Sequence, residues 1–296
     1  MHKILLALLL FLQSAHLLAE EVQVAHNGLK MNAYLEKVGD NWPAGPVVLL
    51  THGTLAHGGM EMIKGLQSML TERGFSSLAI NLSLGLDDRR GMYDCATPHR
   101  HRHTDAVDEI GAWLDWLKGQ GVEKVAILGH SRGGNQVARF AAGREDPAMA
   151  LVILVAPQTW TAEGDAAAYE QRYGVALQPV LDRAQELKAG DEGSSLLDGV
   201  DFLYCDEASV SADAFLSYYA PEEDKDTPHV IPRIGTPVLV FAGTEDSAVK
   251  GLIEKTEPLA DGDQVQLVVI DGADHFFRDL YSEDVADAIA EALEDR

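Results

Sequence analysis

Residues 125–143, VAILGHSRGGNQVARFAAG, constrain this chain more than any other stretch. Val125-Ala126-Ile127-Leu128 is apolar without alternation, the pattern of a strand buried on both faces of a parallel sheet. Gly129-His130-Ser131-Arg132-Gly133 follows at once, and residues 135–142 read as a helix stopped by Gly143. A serine at a strand–turn–helix junction, with glycines two before and two after, has a physical meaning. The turn is tight enough to force Ser131 into a strained backbone, and a side chain at 129 or 133 would strike the neighbouring element. Ser131 Oγ is thereby raised at the carboxyl end of the sheet, above a helix N-terminus with free N–H groups. A glycine-rich turn could hold an incidental serine, but the flanking strand and helix favour a nucleophile.

The rest of the chain supplies the frame for that serine. Residues 21–38 read as two short antiparallel strands around Asn27-Gly28. Pro46 to Thr51 is a buried strand running into His52-Gly53-Thr54. In a serine hydrolase such a loop turns a backbone N–H toward the nucleophile; Thr54 is the expected donor, with Arg132 giving the second N–H of an oxyanion hole. A helix over 60–73, a strand over 75–82 and a helix over 104–118 follow, each with its apolar stripe. Two more strands occupy 150–156 and 237–242. The 80 or so residues between them (157–236) are too many for a loop, and helical stretches near 163–173, 177–189 and 211–220 predict an inserted helical lid. Its aromatic content suits an apolar substrate, or simply a core for the insertion.

The long polar loop 83–103 carries His99, His101 and His103. Alternate spacing aligns three imidazoles only in an extended segment, and Arg100 and Arg102 between them would repel a cation. We expect no metal there, and read the three as loop and helix-entry residues near the site, one of which could contact substrate. No cofactor-binding pattern is found.

The strand at 237–242 ends in Gly243-Thr244-Glu245-Asp246, and the strand at 265–270 leads to Gly272-Ala273-Asp274-His275-Phe276. A closing helix covers 281–294. An acid and a histidine thus follow two successive late strands, at the edge where an open α/β sheet places its ligands. With HGT, GHSRGG, GTED and GADHF in this order, the chain from about residue 44 onward resembles the α/β-hydrolase superfamily. The resemblance implies the α/β-hydrolase fold, a mostly parallel central sheet flanked by helices. It also implies a Ser131–His275–Asp246 triad, with no cofactor. Asp246 is preferred to Glu245 because the family pattern sets its acid three residues after the glycine. Asp274 abuts His275 and is poorly placed to reach it. The triad alone does not choose among esters, thioesters and amides; the expectation is a carboxylic ester. A peptidase, amidase or thioesterase on the same triad is the alternative, and a non-catalytic binding protein a more distant one.

Location is a separate question. Residues 1–19 have a basic Lys3, an apolar run from Ile4 to Leu12 too short to span a bilayer, and a small-residue site before Glu20. They read as a signal peptide, leaving a single domain over 20–296, secreted or periplasmic, with no stable membrane insertion. The chain has 47 acidic residues against 23 Lys and Arg, a net charge of −24. Such a charge repels nucleic acid and anionic lipid, so the expected partner is a small ester; oligomeric state is not legible. Cys95 and Cys205 are the only cysteines. Export, together with their places in the site loop and the lid, predicts a disulfide between them.

Overall fold

The computed structural model describes residues 19–40, 42–43 and 45–294. The expected signal peptide falls outside these residues except for Ala19. A hairpin opens the domain: β1 (Glu20–His26) and β2 (Leu29–Glu36) turn on Asn27 and Gly28, with φ of 47° and 79°. Positive φ at both turn residues matches the twist of the paired strands, which is why Asn-Gly stands there.

Then come β3 (Val47–Thr51), α1 (Glu61–Glu72), β4 (Ser76–Ile80), α2 (Asp105–Gly119), β5 (Val125–His130), α3 (Arg132–Gly143) and β6 (Met149–Val155). An insertion follows, built of α4 (Ala162–Tyr173), α5 (Gln178–Ala189), β7 (Leu196–Phe202), β8 (Cys205–Ser211), α6 (Ala212–Tyr219) and α7 (Thr227–Val230). The chain closes with β9 (Val238–Gly243), α8 (Leu252–Thr256), β10 (Val265–Ile270) and α9 (Leu280–Glu294).

Eight strands form one sheet in the order β1-β2-β4-β3-β5-β6-β9-β10, parallel from β4 to β10 and antiparallel at β1 and β2. The α/β-hydrolase fold expected from the sequence is the fold observed. Alternate residues of each central strand serve opposite faces. Val47 and Leu49 pack with Ile110, Trp113 and Val137 of α2 and α3, whereas Val48 and Leu50 pack with Ile63, Leu70 and Ile289 of α1 and α9. Both faces being covered, the strands need apolar residues at every position, which gives the unbroken apolar runs. From β3 the chain moves outward to β4, returns past β3 to β5, and then continues the other way to β6. The carboxyl ends of β3 and β5 therefore flank the point where strand order reverses, a place for ligands in open α/β sheets.

The insertion departs from expectation in one respect: it is not all helical. Residues 196–211 form the hairpin β7–β8. Register shifts between Leu197 and Val200 and between Val200 and Phe202 break the two-residue alternation by which a strand is read from sequence. The hairpin clamps the loop before α2. His99 N–H donates to Ser209 O at 2.8 Å, Ser211 N–H donates to His99 O at 2.9 Å, and Cys95 and Cys205 form the expected disulfide with their Cα atoms 5.3 Å apart. Most of the insertion's aromatic residues make its own core: Tyr219 lies 5.3 Å from Tyr169, 5.9 Å from Phe202 and 4.9 Å from Phe215, ring centre to ring centre. Among the described residues no helix is long and apolar enough to cross a membrane.

Candidate active site

The tight turn at the end of β5 has the geometry its sequence demands. Ser131 has φ 57° and ψ −123°, a conformation L-residues rarely hold. A Cβ on Gly129 would lie 2.3 Å from Gly133 O, and one on Gly133 would lie 2.3 Å from His52 O. Only glycine lets α3 start so close to β5, and lets the β3 loop come so close to both. Ser131 stands at the N-terminus of α3 as a result.

Three loops at the carboxyl edge converge there. Ser131 Oγ and His275 Nε2 are 3.0 Å apart, and His275 Nδ1 lies 2.8 Å from Asp246 Oδ2. The other carboxylate oxygen of Asp246 accepts from Ala248 N–H at 2.8 Å and Val249 N–H at 2.9 Å. Burial works against the Asp246 charge, but the hydrogen bonds from His275, Val249 and Ala248 outweigh it and hold its pKa below the ordinary value. An ionised acid here keeps Nδ1–H of His275 toward Asp246 and leaves Nε2 as an acceptor facing Ser131 Oγ. Glu245 points to solvent. Asp274 accepts instead from Phe276 N–H and Arg278 Nη1.

Thr54 and Arg132 lie together beside the serine, the Arg132 Nε–H donating to Thr54 Oγ1 at 3.0 Å. Their backbone N–H groups donate to no described residue. The Thr54 loop is held by a residue that sequence reasoning missed. Arg89, 6% exposed, donates to Ala56 O and Leu82 O at 2.8 Å and to Gly91 O at 2.6 Å, tying the β3 loop to the loop after β4. His52 completes the knot: its Nδ1–H donates to Gly53 O at 2.8 Å, and its Nε2 accepts from Leu82 N–H at 3.1 Å. Burial, reinforced by Arg89, pushes its pKa down to about 3.

His130 was also missed. Its Nε2–H donates to the backbone carbonyl of His275 at 2.9 Å, and the two rings lie 4.8 Å apart. Burial, with His275 alongside, pushes His130 down to about 4, so it holds that carbonyl as a neutral imidazole.

His99, His101 and His103 alternate with Arg100 and Arg102 on the way into α2, the histidines buried and the arginines exposed, with His103 already in the turn before the helix. They are fully buried rather than facing an open site. His99 Nδ1 is 3.2 Å from His101 Nε2, His101 Nδ1 is 2.8 Å from Tyr218 Oη, and the Tyr218 ring lies under the Arg132 guanidinium at 5.2 Å. They join the inserted cap to the loop before α2. A groove of about 390 Å³ runs between α1 and the loop that carries His275, lined by Met60, Met62, Met69 and Phe276 among others.

A mostly parallel eight-stranded sheet, with a strained serine at the end of its central strand and an acid and a histidine from later loops, is the architecture of the α/β hydrolases. The chain belongs to the alpha/beta hydrolase family, whose model matches residues 47–292. No curated protein sequence matches it. Among solved structures it is similar to Est1E from Butyrivibrio proteoclasticus at 20% identity, covering 93% of this chain and 98% of that one, with a TM-score of 0.65. It is also similar to E-2-(acetamidomethylene)succinate hydrolase (18% identity, 94% and 100% covered, TM-score 0.60). For dienelactone hydrolase from Anabaena variabilis the values are 17%, 94% and 97%, and 0.57. At these identities the likeness is one of fold. The family makes this chain a hydrolase.

Proposed function

We propose that this hydrolase cleaves carboxylic esters through a Ser131–His275–Asp246 triad and an acyl-enzyme intermediate. The observation that carries the reading is the unbroken chain from Ser131 Oγ to His275 Nε2 and from His275 Nδ1 to Asp246, at 3.0 and 2.8 Å. His275 takes the Ser131 proton as Oγ attacks the acyl carbon, then delivers it to the leaving alcohol. Water repeats the sequence in reverse roles and frees the acid. Asp246 holds the imidazole and stabilises its charged form. The Thr54 and Arg132 N–H groups, with no other acceptor, receive the tetrahedral oxyanion. The leader-like residues 1–19 and the Cys95–Cys205 disulfide support an exported, secreted or periplasmic enzyme.

Fluorophosphonate labelling and hydrolysis of nitrophenyl esters test this. Ser131→Ala is expected to abolish both while leaving the thermal transition in place. Undiminished turnover in that variant refutes the nucleophile, and faster cleavage of peptides or thioesters than of esters refutes the substrate class.

A further inference from the structure

We infer that the substrate ester bears a free carboxylate and that the Arg132 side chain binds it. The inference rests on the ester-hydrolase reading above, in which only the backbone N–H of Arg132 has a part. The side chain is placed for another. Nε donates to Thr54 Oγ1, the face of the guanidinium is fixed over Tyr218 at 5.2 Å, and neither terminal nitrogen donates to a described residue. One of them, Nη1, is buried without a partner among the described residues.

Arg139 Nη1 is likewise buried without a partner among the described residues, but Arg139 has a carboxylate on Nη2. With 47 acids for 23 bases, seven of the described arginines find carboxylates, among them Arg73 with Glu283, Arg139 with Glu222 and Arg144 with Asp115. Arg132 has none within 4.0 Å among the described residues. A second cation nearby is likewise unpaired: Lys225, 1% exposed, donates to Ala220 O at 2.5 Å and to no carboxylate. One acid, Asp165 of α4, feels both charges without forming an ion pair within 4.0 Å, and Trp160 faces its carboxylate. Two cations against one acid leave local positive charge beside the nucleophile, inside a molecule whose overall field is strongly negative. A buried guanidinium N–H with no acceptor is costly. A carboxylate arriving with the substrate offsets the unpaired charge by accepting from Nη2, the terminal nitrogen that is not enclosed, on a guanidinium already oriented by Thr54 and Tyr218. Ser131 and Arg132 are adjacent and both partly open to solvent, so one molecule can present its ester to the first and its carboxylate to the second.

Two matched pairs of substrates test it on the intact protein. 4-Nitrophenyl butyrate and mono-4-nitrophenyl glutarate differ by a carboxylate at the end of the acyl chain. Phenyl acetate and 4-acetoxybenzoate differ by one on the alcohol side. The expected result is at least a tenfold higher kcat/KM for the anionic member of one pair, lost to under twofold in Arg132→Gln and partly kept in Arg132→Lys. Which pair responds tells which side of the ester carries the charge. A wild-type preference under tenfold in both pairs overturns the inference without any variant, as does a preference that survives Arg132→Gln. Fluorophosphonate labelling separates the two readings: labelling without anionic preference refutes only the carboxylate, whereas absence of both labelling and ester hydrolysis refutes the ester-hydrolase reading beneath it.

Discussion

His130 spends its one N–H on the backbone of His275, not on substrate or on Ser131. It therefore acts through the position of another imidazole. Replacing it with leucine leaves the His275 carbonyl without that donor and frees the loop to shift against Ser131. A hydrogen bond of this kind is worth roughly 1–1.5 kcal/mol, or about a tenfold change in rate. His130→Leu is expected to lower kcat about tenfold with KM little changed, and His130→Gln, which keeps a donor, to recover part of the loss; steady-state kinetics on a nitrophenyl ester read both. Asp246→Asn should cost less than Ser131→Ala or His275→Ala, because in the proposed triad the acid orients the base and stabilises its charged form but forms no bond to substrate; parallel kcat values check the order. The two classes of residue differed in legibility for a physical reason. Ser131 announces itself because its strained turn forces glycine at 129 and 133. Asp246 and His275 announce themselves because each lies in the short loop after one of two successive late strands, β9 and β10. His130 and Arg89 work through hydrogen bonds to backbone carbonyls, and a carbonyl is present at every position, so no residue pattern marks the partner.

Among the elements, strands and helices that bury a continuous face were legible to within about two residues, save that α3 begins at Arg132, three residues before the start read for it. The β7–β8 hairpin was not, since its bulges scramble the alternation. That hairpin is also where the cap is fastened. The Cys95–Cys205 bond spans 110 residues and ties the loop before α2 to β8, next to the backbone bonds between His99 and β8. On the chain-entropy model a closure of this length stabilises by roughly 4–5 kcal/mol. In a domain of this size that corresponds to a melting temperature about 10 °C higher. The double variant Cys95→Ser/Cys205→Ser is expected to melt lower by about that amount, and to be cut by protease first within 83–103 or 190–211. A melting temperature within about 2 °C of wild type, with unchanged cleavage sites, would refute the fastening role.

The whole molecule is acidic on its surface yet keeps neutral histidines inside. His52 and His101 are pushed down to about 3, and His99 and His130 to about 4. His103 lies well below its ordinary value, with burial the leading cause in every case. In the unfolded chain each would take up a proton near pH 6.5. Between that pH and the folded values, the unfolded state binds more protons. Stability is therefore complete above about pH 6.5 and is lost as pH falls. Each such histidine contributes up to about 1.4 kcal/mol of loss per pH unit. Three effects oppose this, the first being that burial raises the Asp165 pKa. Burial raises Glu109 to about 7, against the hydrogen bonds from Ser83, so its contribution grows as pH falls toward the unfolded carboxylate value. Protonation also relieves the repulsion of a net charge of −24. Glu109 offsets about one histidine, and exposed charges on a folded surface are screened by salt. The histidines dominate, and the total available is about 5–15 kcal/mol. Unfolding is thus expected within about two pH units below 6.5, and circular-dichroism melts at pH 7.5, 6.0 and 5.0 should fall steeply in that order. His99, His101 and Tyr218 join the cap to Arg132, so catalytic activity should fail over the same interval and not at the lower pKa of Asp246. Full stability at pH 5.0 would mean that these imidazoles do not remain neutral in the folded protein.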